Sequence, residues 1–140
     1  MNFKLSELIH SDTAVKYNIN NMPDIDALDN MLDLIVYCLQ PLRDKIGKPI
    51  IITSGYRNKL VNQLVKGSPT SDHTKGMAVD FIIKGMPVSD IVDIIQKSDI
   101  KFTQLIEEYS VNSSWVHISY NPKNLKREVL LCKNGRYIKT

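Results

Sequence analysis

What the chain lacks narrows its class first. No segment of its 140 residues approaches the run of about 18 apolar positions that a membrane-spanning helix needs. The opening MNFKLSELIH has no apolar stretch of the kind a secretory signal carries. Cysteine is scarce. Cys38 and Cys132 sit among apolar neighbours, and in a chain long enough to build its own core they read as buried free thiols rather than a disulfide framework or zinc ligands. An excess of one charge is missing too: 18 Lys and Arg against 15 Asp and Glu leave a net +3, and the basic residues are scattered among acids. Without a basic stripe, nucleic-acid binding is not expected. No internal repeat, low-complexity tract or Gly/Ser-rich linker divides the sequence, so residues 1–140 are expected to form one domain.

What is present is mostly regular patterning. In residues 24–46, Ile25, Leu28, Leu32, Ile35, Leu39, Leu42 and Ile46 recur at spacings of three and four, the strongest helical signal in the chain. Asp24 is placed to cap this helix and Gly47 to end it, while Pro41 predicts a kink or break near residue 40. KPIIITSGYR then reads as a short buried strand and turn, and NKLVNQLVKG as a short helix closed by Gly67. SPTSDHTKG is a polar loop, MAVDFIIKG a second strand, and PVSDIVDIIQKS a helix capped by Ser89. IKFTQLIEEY, SWVHISY and EVLLCKNGRYIK are strand-like, the last with Asn134 and Gly135 as a two-residue hairpin turn. Helices early and antiparallel strands late predict an α+β fold, a small antiparallel sheet with helices packed on one face.

Three polar residues interrupt this pattern where apolar ones would be cheaper. Asp80 breaks the run AVDFII, and a carboxylate there is costly unless it is paired or bound to a cation. His117 stands between Val116 and Ile118, and His73 lies in the loop seven residues before Asp80, with Gly76 allowing the tight turn between them. Two imidazoles and one carboxylate make a three-ligand zinc set that leaves a fourth position for water, the arrangement of catalytic sites. Such a site needs a proton carrier. Glu107 and Glu108 are at hand, and strand alternation places them on opposite faces, so only one shares the face of His117; the pattern does not say which.

The stretch SDHTKGMAVD resembles the S-x-H-x-x-G-x-A-x-D motif of the zinc D-alanyl-D-alanine peptidases, the peptidase M15 group, in the branch common among phage endolysins. TSGYR upstream, QLIEEY and WVHIS downstream and the opening FKLSELIHSDTA resemble that branch in the same order, so the likeness covers nearly the whole chain. It implies His73, Asp80 and His117 as zinc ligands and Glu108, which precedes the aromatic Tyr109, as general base. It further implies Arg57 as a ligand for a substrate carboxylate or a developing oxyanion, and Ser71 as a hydrogen-bond partner of substrate. Ser114 stands where many members carry an acidic residue, which ties the Glu108 assignment to the phage-like branch. Trp115 reads either as hairpin packing or as a wall of the substrate groove. The implied fold is the α+β fold shared with the signalling domain of hedgehog proteins, in agreement with the element order.

The resemblance thus implies a zinc metallopeptidase, a D-Ala-D-Ala carboxypeptidase or endolysin-type endopeptidase, with the peptidoglycan stem peptide as its partner and Zn2+ as its cofactor. The rival expectation is a non-catalytic, zinc-stabilised module of the same fold that binds cell wall or protein. A monomer is expected. With no signal segment seen, the reading is a phage or prophage product made in the bacterial cytoplasm and released to the wall by a helper.

Overall fold

A computed structural model describes residues 1–139. The helices are α1 (Leu5–Ile9), α2 (Asp12–Lys16), α3 (Ile25–Leu34), α4 (Gln40–Ile46), α5 (Lys59–Leu64) and α6 (Val88–Lys97). The strands are β1 (Ile51–Ser54), β2 (Ala78–Ile82), β3 (Gln104–Tyr109), β4 (Ser114–Ser119), β5 (Glu128–Lys133) and β6 (Arg136–Lys139). All six form one sheet in the order β1-β2-β4-β3-β5-β6. The α+β class expected from the sequence is the class observed. None of these helices is long and apolar enough to cross a membrane.

The long helical segment departs from its pattern in an instructive way. Asp24 does cap α3, accepting from Ala27 N at 2.8 Å, and Gly47 ends α4 in the left-handed conformation. Between the two helices, Ile35–Leu39 form a π-helical turn in which Gln40 N bonds to Ile35 O, immediately before Pro41. A π-turn inserts one residue into the helical phase. The buried positions of α3 are accordingly Ala27, Met31 and Leu34; Ile25 and Leu32 are left 76% and 42% exposed, while Ile35, in the π-turn itself, is buried as its spacing predicts. Downstream, Leu39 and Leu42 are buried as their spacing predicts.

Two helix boundaries also differ. The residue at the α6 cap position is Pro87, with no side-chain bond, so Ser89 lies inside the helix and caps nothing. The Pro87 carbonyl accepts from Asp90 N and Ile91 N, and Val88 is buried, which starts the helix ahead of the serine. α5 ends at Leu64, and Lys66 rather than Gly67 takes the left-handed position; the Gly67 N–H then closes the turn on Asn62 O at 2.8 Å.

The sheet is mixed rather than wholly antiparallel, since β5 runs parallel to β3. β4 returns from β3 to finish with Ser119 opposite Gln104, and the chain crosses that end of β3 to start β5 with Glu128 also opposite Gln104. Entering at the same end as β3 forces the same direction. The crossing is tied down by Thr103, whose hydroxyl donates to Asn124 O at 2.7 Å, and by Arg127 N bonding to Phe102 O at 3.0 Å. β5 and β6 make the expected hairpin, Lys133 opposite Arg136 across Asn134-Gly135, both with positive φ as this turn requires.

Alternate residues divide between the two faces. Val79, Phe81, Leu105, Val116 and Ile118 point into the core with Met31 and Leu34 of α3, Leu42 of α4, and Ile91 and Ile95 of α6. The other face carries Asp80, Glu108 and His117.

Candidate active site

The register fixes the centre of the site. Asp80 of β2 lies directly opposite His117 of β4, and the two side chains meet with His117 Nδ1 2.9 Å from Asp80 Oδ1. His73 arrives from a 3-10 turn, Asp72–Lys75, and puts its Nε2 3.4 Å from the same carboxylate oxygen. The turn is capped by Ser71, whose hydroxyl accepts from His73 N at 3.2 Å, and closed by Gly76. Gly76 has φ +72 and lies so close to Ala27 O that a Cβ would overlap it, so glycine is needed there on both counts.

His73 is buried and Asp80 and His117 are largely so, with 5%, 15% and 13% side-chain exposure respectively. Burial alone would raise the Asp80 pKa, but the hydrogen bonds from His117 and His73 outweigh it and hold the carboxyl well below the usual range. Burial would likewise lower the His117 imidazole, and Asp80 against it holds it above its ordinary value. The donor atoms of the three residues lie within 4.8 Å of one another, a group that can hold a metal ion. His73 Nδ1 is 2.8 Å from the Gly55 carbonyl, to which it donates, so Nε2, on the Asp80 side, is the nitrogen that can give its lone pair to a metal once its proton is displaced. Two imidazoles and one carboxylate with a tautomer fixed from behind fit a zinc ion.

The support behind His73 comes from a segment that sequence reasoning passed over. The Gly55–Arg57 backbone is wedged between the site and the N-terminal helix: Tyr56 N bonds to Leu8 O at 2.6 Å and Arg57 N to His73 O at 3.1 Å. A Cβ on Gly55 would run into the Leu8 carbonyl. Buried Asn21 locks the same segment, donating to Ile9 O and Tyr56 O and accepting from Asn58 N. Only the SGYR stretch hinted at this role, and nothing in the pattern singled out Asn21.

A cleft of about 480 Å³ opens over the cluster, and Arg57, Ser71, His73, Asp80, Glu108, Trp115 and His117 all line it. Every site residue named from the sequence is therefore brought to one place. Glu108 projects from β3 beside the cluster and accepts from Trp115 Nε1 at 2.8 Å. Burial and the nearby Asp80 charge raise its pKa. Glu107 points to the opposite face, where it accepts from the Tyr109 hydroxyl at 2.6 Å, so the face question that alternation left open is answered by the register. Arg57 extends one guanidinium nitrogen to Ser71 Oγ at 3.4 Å, while its buried Nε has no partner among the described residues. Trp115 is a cleft wall as well as a hairpin residue. Tyr137 and the loop residues Lys66, Gly67, Ser68 and Thr70 also line the cleft, and no pattern of residues marked them for it. That loop is pinned by Asn62 Nδ2 donating to Ser68 O at 2.9 Å.

Both cysteines are buried and free, as expected. Cys38 is inert packing: burial pushes its thiol up to about 12, and it donates to Lys101 O. Cys132 sits directly opposite Glu108 on β5.

None of the curated proteins matches the chain. Residues 1–119 match the model of the family described as Peptidase M15. That span contains β1 to β4, the 3-10 turn and the Arg57 segment, and hence the whole cluster together with Glu108. The chain belongs to the Peptidase M15 family of zinc peptidases.

Proposed function

We propose that this protein is a zinc metallopeptidase that hydrolyses a peptide bond in the stem peptides of bacterial peptidoglycan, as a D-Ala-D-Ala carboxypeptidase or an endolysin-type endopeptidase. The observation that carries this reading is convergence: a largely buried His-Asp-His donor set, a carboxylate of raised pKa and a guanidinium with spare donors share one cleft. In this reading His73, Asp80 and His117 hold the metal. Zinc bound there supplies Lewis acidity and lowers the pKa of a water ligand to about 7.

The chain's own residues supply the rest. Glu108 takes the proton of the attacking water and delivers it to the leaving amine, and the burial that raises its pKa favours holding that proton between the two steps. The Trp115 N–H fixes one of its oxygens and so aims the carboxylate. Arg57 binds a carboxylate of the substrate, a task suited to a planar, permanently charged fork of donors. Ser71 Oγ accepts from His73 N and from Arg57, which leaves its own proton to donate to the peptide. Trp115 offers its indole as a wall for the peptide chain.

Mass spectrometry of purified peptidoglycan and soluble stem peptides, incubated with zinc-loaded protein and with a chelated control, tests the reading. Zinc-dependent fragments are expected, and their masses name the bond. Glu108→Gln should keep its zinc and lose turnover by about 10²–10⁴-fold. Zinc-loaded protein that releases no fragment from any wall chemotype would turn the assignment to a wall-binding module.

A further inference from the structure

The family match stops at residue 119, and the sheet does not. β5 and β6 extend it by two strands and continue the site floor. A row of directly opposed residues crosses four strands: Trp115 on β4 faces Glu108 on β3, Glu108 faces Cys132 on β5, and Cys132 faces Tyr137 on β6. Opposed residues project from the same face, so all four stand on the side that carries His117. Tyr137 lines the same cleft as Glu108 and the donor cluster, yet it is 61% exposed on the edge strand. Its ring is therefore open to a ligand lying in the cleft.

We infer that Tyr137 is a substrate-contacting, specificity-determining residue, and that the C-terminal hairpin is the wall along which a peptide lies beyond Glu108. The identity of the substrate as a peptide rests on the peptidase reading above. Adjacent strands are about 4.8 Å apart, so Tyr137, two strands out from Glu108, stands roughly 10 Å from it. An extended peptide advances about 3.3 Å per residue, so the ring meets the chain about three residues from the cleaved bond. A flat aromatic face suits an aliphatic portion of that chain. The protein should therefore favour long peptides over short ones, and Tyr137 should be a main source of the preference.

The test compares kcat/KM of wild type, Tyr137→Ala and Tyr137→Phe on two soluble stem peptides, one with a single residue on each side of the cleaved bond and one with three. In Tyr137→Ala the long-over-short preference should fall about tenfold, mainly through KM, and Tyr137→Phe should keep it within about twofold. An unchanged preference in Tyr137→Ala would overturn the inference and leave the peptidase reading intact. Calorimetric titration of the long peptide into zinc-loaded Glu108→Gln, with and without Tyr137→Ala, separates the two ideas. Binding that weakens about tenfold on loss of the ring, in a protein whose wild type never cleaves, would uphold Tyr137 and sink the peptidase reading. No binding and no cleavage would sink both.

Discussion

The two faces of the sheet are built from the same strands and have opposite fates. On β2, Phe81 is fully buried in the core, and its neighbour Asp80 lies in the cleft between two imidazoles. On β4, Val116 is fully buried in the core, and His117 next to it meets Asp80. The core face is mainly apolar, and the Glu107 carboxylate on that side is bonded to the Tyr109 hydroxyl. The cleft face holds a carboxylate whose burial is offset only because two histidines and, in the proposed reading, a cation surround it. Stability and chemistry are thus separated by a single residue along the chain, and changes at adjacent positions should produce different kinds of damage.

Asp80→Ala should have the largest effect. It removes the shared oxygen at the centre of the cluster, and zinc affinity should drop by more than the 10–100-fold typical of outer-shell partners, about 100-fold at the least, with turnover falling to background. Zinc content after gel filtration and peptide hydrolysis both report it. A protein that keeps its zinc after this change would dissolve the contrast between the faces. One residue on, Phe81→Ala empties a fully buried ring position and should cost about 3–5 kcal/mol in denaturant unfolding. The folded fraction should still bind zinc.

A smaller effect follows from pH. In metal-free protein, Asp80 is depressed, so its contribution is present above about pH 3.9 and is lost as pH falls through its lower folded value. His117 is raised, so its contribution is present below about pH 6.5 and is lost as pH rises through its higher folded value. The metal-free protein should be best served by this pair between about pH 4 and 6.5. Zinc reverses the trend, because the metal needs the neutral imidazole and competes with its proton; affinity should rise about tenfold per pH unit for each proton released. Melting temperatures of chelated and zinc-loaded protein should therefore move in opposite directions between about pH 6 and 8. Parallel curves would show that the cluster holds no metal.

The same division explains what could be read in advance. Face assignments depend only on alternation, and the chemistry-bearing exceptions Asp80 and His117 stood out because each broke an apolar run. The Asn134-Gly135 hairpin was legible because its turn chemistry is local. The mixed sheet was not: the pairing of β5 with β3 depends on which end of β3 the chain crosses, and no residue spacing encodes that. Tyr137 went unseen for the same reason, since its path to Glu108 runs through that parallel pair. The burial phase of α3 was missed because the π-turn at Ile35–Leu39 shifts the stripe by one residue, and Pro41 announced a disturbance without its form. Asn21 and Gly55, which brace His73 and Arg57 from behind, serve through backbone contacts that leave no trace in hydrophobic pattern.

Glu107 and Glu108 offer the finest version of the comparison, two identical side chains on adjacent residues of one strand. Glu107→Gln should change turnover by no more than about twofold and stability by no more than about 0.5 kcal/mol, because the amide oxygen can still accept from the Tyr109 hydroxyl. It should nonetheless leave a signature. Burial first, and then the bond and charge of Glu107, push Tyr109 up to about 12; without that charge the phenol should titrate at lower pH, which ultraviolet tyrosinate titration can follow. If Glu107→Gln instead abolished turnover while Glu108→Gln did not, the catalytic carboxylate would lie on the core side of the sheet, away from the cluster. No arrangement of the cleft described above accommodates that outcome, so this small substitution is the strictest check on which face does the chemistry.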